Sequence, residues 1–145
     1  MPSLRELRHD VNPAPMAGMT RPLAHLPRPK TFRPRRRFKP IARAEIIKAA
    51  KTIAQAVHPE KVILFGSYAY GKPTEDSDVD FLIVHPARTR SKRMEIALKA
   101  SWALEPRPFP VDLLVRSADK IRERVKMGDF FLQEISQRGQ VVYEQ

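Results

Sequence analysis

Three short apolar runs, Lys61–Phe65, Val79–Val84 and Pro110–Val115, alternate with stretches of helical periodicity, and this alternation restricts the fold more than any other feature of the chain. Runs of five or six such residues, bounded by proline, glycine or a polar turn, read as buried strands. Upstream of the first run, Ile46, Ala50, Ile53 and Val57 recur at helical spacing, with Ile47 and Ala54 beside them. They predict an amphipathic helix that ends before Pro59. Residues 88–104 carry helix formers, with Met94, Ala97, Leu98 and Ser101 on one face, until Glu105-Pro106-Arg107-Pro108 breaks the pattern. Ser117 or Asp119 can cap a helix running through Lys126, with Gly128 at its C-terminal stop. Asp129 then caps a short helix containing Phe131, Leu132 and Ile135, closed by Gly139. Val141-Val142-Tyr143 adds a short edge strand. Strands alternating with helices give an α/β (α+β) domain with three or four strands.

Composition divides the chain in two. The net charge is +11, yet residues 1–40 hold ten Lys/Arg against two acidic residues, and residues 41–145 hold seventeen against fourteen. Eight of the fourteen prolines also fall in residues 1–40. Proline at 13, 15, 22, 27, 29, 34 and 40 denies a long helix its hydrogen bonds. Residues 1–40 therefore read as a disordered, basic, proline-rich arm, and residues 41–145 as the folded domain. The arm is either a solvated tail or, through residues 28–39, a contact for nucleic acid or an acidic surface. The chain has no cysteine. Disulfide frameworks and cysteine-ligated zinc are excluded, and the setting expected is cytoplasmic. No apolar run approaches the roughly 18 residues of a membrane span, so no membrane partner is expected.

The charged residues placed inside the apolar runs carry the chemistry. Asp78 and Asp80 stand one residue apart at the start of the second run, so strand geometry puts both carboxylates on one face, with Val79 and Phe81 turned to the core. Like charges held that close raise each other's pKa unless a cation lies between them. Oxygen-only ligands select a hard ion, Mg²⁺ or Mn²⁺. Asp112 repeats the arrangement in the third run, where an isolated buried charge would be costly. If the third strand neighbours the second, Asp112 joins the other two. Three carboxylates can then hold two ions, about 3.5–4 Å apart, that clamp an in-line phosphoryl displacement. Asp112 would also stand where it can accept the proton of an attacking hydroxyl. Gly66-Ser67 follows the first strand directly. Glycine lets the backbone approach a phosphate closely, and the amides opening a turn at Tyr68-Ala69-Tyr70 favour an anion. Gly71 is expected to end that turn at positive φ.

Gly66-Ser67, ten residues, then Asp78-Val79-Asp80 resembles the signature of the polymerase-beta-like nucleotidyltransferase superfamily. Phe65-Gly66-Ser67-Tyr68-Ala69-Tyr70-Gly71 and Ser77-Asp78-Val79-Asp80-Phe81 are most similar to its minimal, single-domain, antitoxin-like members, and Asp112 matches the third carboxylate. The resemblance covers about residues 43–143. It implies a mixed sheet flanked by helices and two Mg²⁺ ions at Asp78, Asp80 and Asp112. It also implies a nucleoside triphosphate (ATP) on Gly66 and Ser67, and transfer of a nucleoside monophosphate. Many such proteins are antitoxins paired with a helical HEPN ribonuclease toxin, and some add AMP to a tyrosine of that toxin. A domain of about 105 residues leaves little room for a separate substrate lobe, which favours a protein acceptor. The competing readings are a non-catalytic module that neutralises a toxin by occlusion, and a nucleic-acid binder working through the basic arm.

Other residues rank lower. Lys72 and Arg116 read as surface charges before triphosphate ligands. His85 reads as a strand-end surface histidine, and His58 as a helix C-terminal residue. Tyr68 and Tyr70 pack on the sheet or stack on a base. Trp102 and Phe130-Phe131 serve the core or a partner surface. Arg122, Arg124 and Lys126 form a solvated helix face.

Overall fold

The computed structural model describes residues 37–145. All but residues 37–40 of the expected arm lies outside the described residues, as does most of the 28–39 basic segment. The elements run α1 (Arg43–Val57), β1 (Lys61–Phe65), α2 (Ser67–Tyr70), β2 (Val79–Val84), α3 (Arg90–Ala103), β3 (Val111–Arg116), α4 (Ala118–Lys126), α5 (Phe130–Arg138) and β4 (Gln140–Glu144). No helix among the described residues is long and apolar enough to cross a membrane.

The four strands form one mixed sheet in the order β3-β2-β1-β4. β1 pairs antiparallel with both β2 and β4, and β2 pairs parallel with β3 through the α3 crossover. The second and third apolar runs are therefore neighbours, as the carboxylate argument required. Alternation along β1 and β2 divides the core. Val62, Leu64, Val79, Phe81 and Ile83 pack with Ile46, Ala50 and Ile53 of α1 and Ile96 and Ala100 of α3. Phe65, Leu82 and Val84 pack on the other face against Leu132 and Ile135 of α5. Each fully buried side chain of this size removes about 1.5–3 kcal/mol of apolar exposure. Asp80 stands on the second face, in line with Leu82 and Val84.

Helix ends follow their capping residues. Thr89 Oγ1 accepts from Lys92 N at 3.1 Å, Ser117 Oγ from Lys120 N at 3.2 Å, and Asp129 Oδ1 from Leu132 N at 3.1 Å. Ser117, not Asp119, is thus the cap of α4. Gly128, at φ +89°, closes α4 with paired bonds from Gly128 N to Val125 O and from Asp129 N to Arg124 O, the glycine-terminated motif that satisfies a helix's last carbonyls. His58 ends α1 in the left-handed region, at φ 48°.

One expectation about glycine is corrected and another holds. Gly71 ends α2 at φ −113°, not at positive φ, and Gly139 closes α5 as expected, at φ −62°. Their side chains are excluded by contact instead: a β-carbon would meet the Ser67 Cα at 2.8 Å and the Ile135 carbonyl oxygen at 2.4 Å, respectively.

Candidate active site

The site grows from the end of β1. Phe65 pairs with Asp80 across the β1–β2 ladder, so the chain leaves β1 beside the start of β2. At Gly66 the backbone turns at φ 73°, ψ −154°, a region open essentially to glycine alone. A β-carbon at Gly66 would lie 2.1 Å from Asp80 Oδ2. The carboxylate of Asp80 therefore packs against the bare α-carbon of the turn. The turn itself is closed by bonds from Ala69 N and Tyr70 N to the Gly66 carbonyl, at 3.0 and 3.1 Å. Ser67 opens it, half-buried, where helical geometry leaves the first amides without partners inside the turn.

The turn is braced from behind by residues that sequence reasoning missed. Gln140 Nε2 donates to the Ala69 carbonyl at 2.8 Å, and Arg138 Nη2 to the Tyr70 carbonyl at 3.2 Å. The Arg138 guanidinium also lies 4.7 Å from the centre of the Tyr70 ring, within cation–π range. Arg43 in turn donates to the Gln140 side chain. Nothing in the sequence marks these contacts, because Ala69 and Gln140 are 71 positions apart and meet only through the β1–β4 pairing. On the other side, Thr74 N donates to Ser77 Oγ at 2.8 Å and Ser77 N to the Thr74 carbonyl at 3.1 Å. That small turn delivers the chain to Asp78.

Asp78 lies immediately before β2, and Asp80 is its second residue. Val79 and Phe81 are fully buried on the opposite face, so strand alternation does separate acids from core. Asp112 pairs with Asp80 in register across the parallel β2–β3 ladder, a spacing of about 4.8 Å between strands. Asp80 is half-buried, whereas Asp78 and Asp112 are exposed. The expected burial cost at Asp112 is absent because β3 is an edge strand. The three acids feel one another: the Asp80 carboxyl is pushed up to about 6, first by burial and then by the charges of Asp112 and Asp78. Among the described residues, no Lys, Arg or His forms an ion pair with any of them. Nor, among those residues, do three or more His, Cys, Asp or Glu groups converge closely enough to form a metal-holding cluster. The arrangement is an open acidic face of carboxylate oxygens, the donor type that hard cations take.

The lower-ranked residues fall elsewhere. His85 follows the far end of β2, and its Nδ1 accepts from Ala87 N at 3.1 Å. Arg116 ends β3, four residues beyond Asp112, and donates to the Val115 carbonyl at 2.7 Å. Tyr68 packs against the core and its hydroxyl accepts from Ile41 N at 3.4 Å; Tyr70 lies under Arg138. Lys72 is exposed on the loop after the turn, and Trp102 and Phe130 project from the surface. Phe131 stacks edge-on against Phe65, 5.6 Å between ring centres.

No curated protein matches the chain. A solved structure described as "Crystal structure of the toxin-antitoxin with AMP-PNP" is similar at a TM-score of 0.46 and 22% identity, over 68% of this chain and 73% of that chain. That degree of likeness says nothing of what this chain binds. Residues 43–141 match the family described as "Nucleotidyltransferase domain", a span that runs from the first residue of α1 into β4 and takes in Gly66, Ser67 and all three aspartates. On that match the chain belongs to the nucleotidyltransferase domain family.

Proposed function

We propose that this nucleotidyltransferase moves AMP from ATP to a hydroxyl of a partner protein, with Asp78, Asp80 and Asp112 as its catalytic and metal-holding residues and Gly66 and Ser67 on the triphosphate. The observation that carries the reading is the in-register pairing of Asp80 with Asp112, set against the Gly66 turn. It supports the reading because the Gly66 turn and the acids then lie together at the end of the sheet where β1 stops and β2 and β3 begin.

Asp78, Asp80 and Asp112 would hold Mg²⁺ or Mn²⁺, two ions in the family's manner, which supplies charge neutralisation for an in-line displacement at phosphorus. The chain's own part is positioning and proton transfer. The Gly66 turn admits a phosphate close to the backbone, and the Ser67 hydroxyl donates to a phosphate oxygen. Asp112, exposed on the edge strand, accepts the proton of the acceptor hydroxyl. The acceptor oxygen forms its bond to the α-phosphorus. The bond from that phosphorus to the α–β bridging oxygen breaks, and pyrophosphate leaves with the electron pair.

A protein acceptor, which brings its own recognition surface, suits a site carried at the end of a single four-stranded sheet. The resemblance to minimal antitoxin-like members names the kind of partner: a helical HEPN-type toxin. The test is transfer of radiolabel from α-labelled ATP, with Mg²⁺ or Mn²⁺, to the product of the adjacent gene. Labelling that disappears in Asp78→Asn and Asp112→Asn supports the reading, and no labelling under either metal sinks it. If Asp78→Asn still protects cells from the toxin, neutralisation is by occlusion instead.

A further inference from the structure

The edge of the sheet beside Asp112 is unfinished. The β2–β3 ladder uses the even-numbered residues of β3: Val79 N donates to the Pro110 carbonyl, and His85 N to that of Arg116. In a parallel pair, one residue's N–H and C=O face the same side, so the backbone groups of Val111, Leu113 and Val115 face away from β2. The Val115 carbonyl is taken by Arg116. Among the described residues, Val111 and Leu113 present free edge groups, in a run with no internal Lys or Pro to discourage pairing.

The surface beside this edge is apolar. Met94, Leu98 and Trp102 follow one another at four-residue spacing on α3 and are 55%, 47% and 69% exposed. Met94 and Leu98 line a groove of about 260 Å³ with Val111 and Leu113, and Asp112 is part of its wall. The face that carries Met94 and Leu98 thus turns toward β3, while Ile96 and Ala100 are the buried residues of the helix.

Charge gives the groove a direction. At the Asp112 end, Arg107 is already paired with Glu105 at 3.0 Å. At the other end, Arg90, Arg93 and Arg116 line its continuation, and among the described residues none of them makes an ion pair. Arg116 sits partly buried beside Arg93 and Arg124, which hold its pKa below the usual value together with burial, the larger cause.

We propose that the acceptor docks here as an extended acidic polypeptide segment that adds to the β3 edge as a fifth strand. This rests on the transferase reading of the adjoining site. Strand periodicity sets the chemistry required. A hydroxyl residue lies opposite Asp112, an apolar residue next to it lies opposite Leu113 and enters the groove of Met94 and Leu98, and a carboxylate four positions from the hydroxyl lies opposite Arg116. The apolar wall selects a polypeptide over a polynucleotide.

The test uses the full chain and fluorescein-labelled ten-residue peptides, read by anisotropy without ATP or metal. One peptide carries tyrosine, leucine at the next position and glutamate four and five residues on; a second carries the reverse order. Two controls replace the glutamates by lysine or N-methylate the amides that would pair with β3. One acidic peptide is expected to bind, with affinity lower by about tenfold or more in both controls and in Arg93→Glu and Leu98→Asp. Equal binding of the lysine or N-methylated peptide overturns the proposal, as does no binding up to millimolar concentration. A concentration-dependent dimer in sedimentation, abolished by Leu98→Asp, overturns it in favour of a second copy on this edge. A peptide that binds in this pattern but takes no label from ATP and Mg²⁺ removes the transferase reading and leaves the docking site. A peptide labelled equally by wild type and both variants does the reverse.

Discussion

Gly66 and Asp80 occupy the same few ångströms: a β-carbon on the glycine would stand 2.1 Å from Asp80 Oδ2. The backbone at Gly66 also holds φ 73° with ψ −154°, a conformation that costs other residues about 1–3 kcal/mol. Gly66→Ala should therefore lower the melting temperature by several degrees and displace Asp80. Calorimetry, with metal titration on the same variant, checks both effects. Unchanged stability together with unchanged metal response would contradict the geometry.

Asp80 makes the metal-free protein sensitive to pH. Its carboxyl is raised from 3.8 to about 6 by burial and by Asp112 and Asp78. Between those values the folded chain holds a proton that the unfolded chain has released, so stability falls as pH rises through the interval. The stabilisation is full below about 3.8 and lost above about 6. Asp80→Asn should remove this component and be more stable than wild type at pH 7.5 without metal. Adding Mn²⁺ should raise the wild-type melting temperature more at pH 7.5 than at pH 5.5, because protons compete for the same oxygens. Thermal scans at the two pH values decide it, and a parallel pH profile in Asp80→Asn would be the adverse result.

Asp78 and Asp112 are exposed and make no ion pair among the described residues. Asparagine at either position should leave the fold intact while transfer falls by about 10²–10⁴-fold. Circular dichroism and labelling from α-labelled ATP separate the two effects. Near-wild-type transfer in Asp112→Asn would remove it from the proton-accepting role.

Gly128 provides the converse case. Its φ of +89° ends α4, and no atom lies within 4 Å of where a β-carbon would be. Gly128→Ala should cost about 1 kcal/mol from backbone strain alone and leave metal binding unchanged. A loss of metal response in this variant would show that α4 and the acids are coupled.

The sequence itself determined the local geometry. Ile46, Ala50, Ile53 and Val57 set the buried face of α1, and the apolar runs became β1, β2 and β3 to within a residue. These follow from periodicity and end signals, which act over a few residues. Asp78 and Asp80 sharing a face is of the same kind, because Val79 between them had to be buried. Tertiary structure decided what depends on which strands meet. The parallel β2–β3 pairing brings Asp112 opposite Asp80 and leaves Asp112 exposed on an edge. The β1–β4 pairing brings Gln140 to the Ala69 carbonyl. Gly71 shows the limit at a single residue: its turn was legible, but the crowding against Ser67 that requires glycine exists only once the turn has closed. Periodicity fixes which way a side chain points along its own element; only packing the elements together fixes what it meets there.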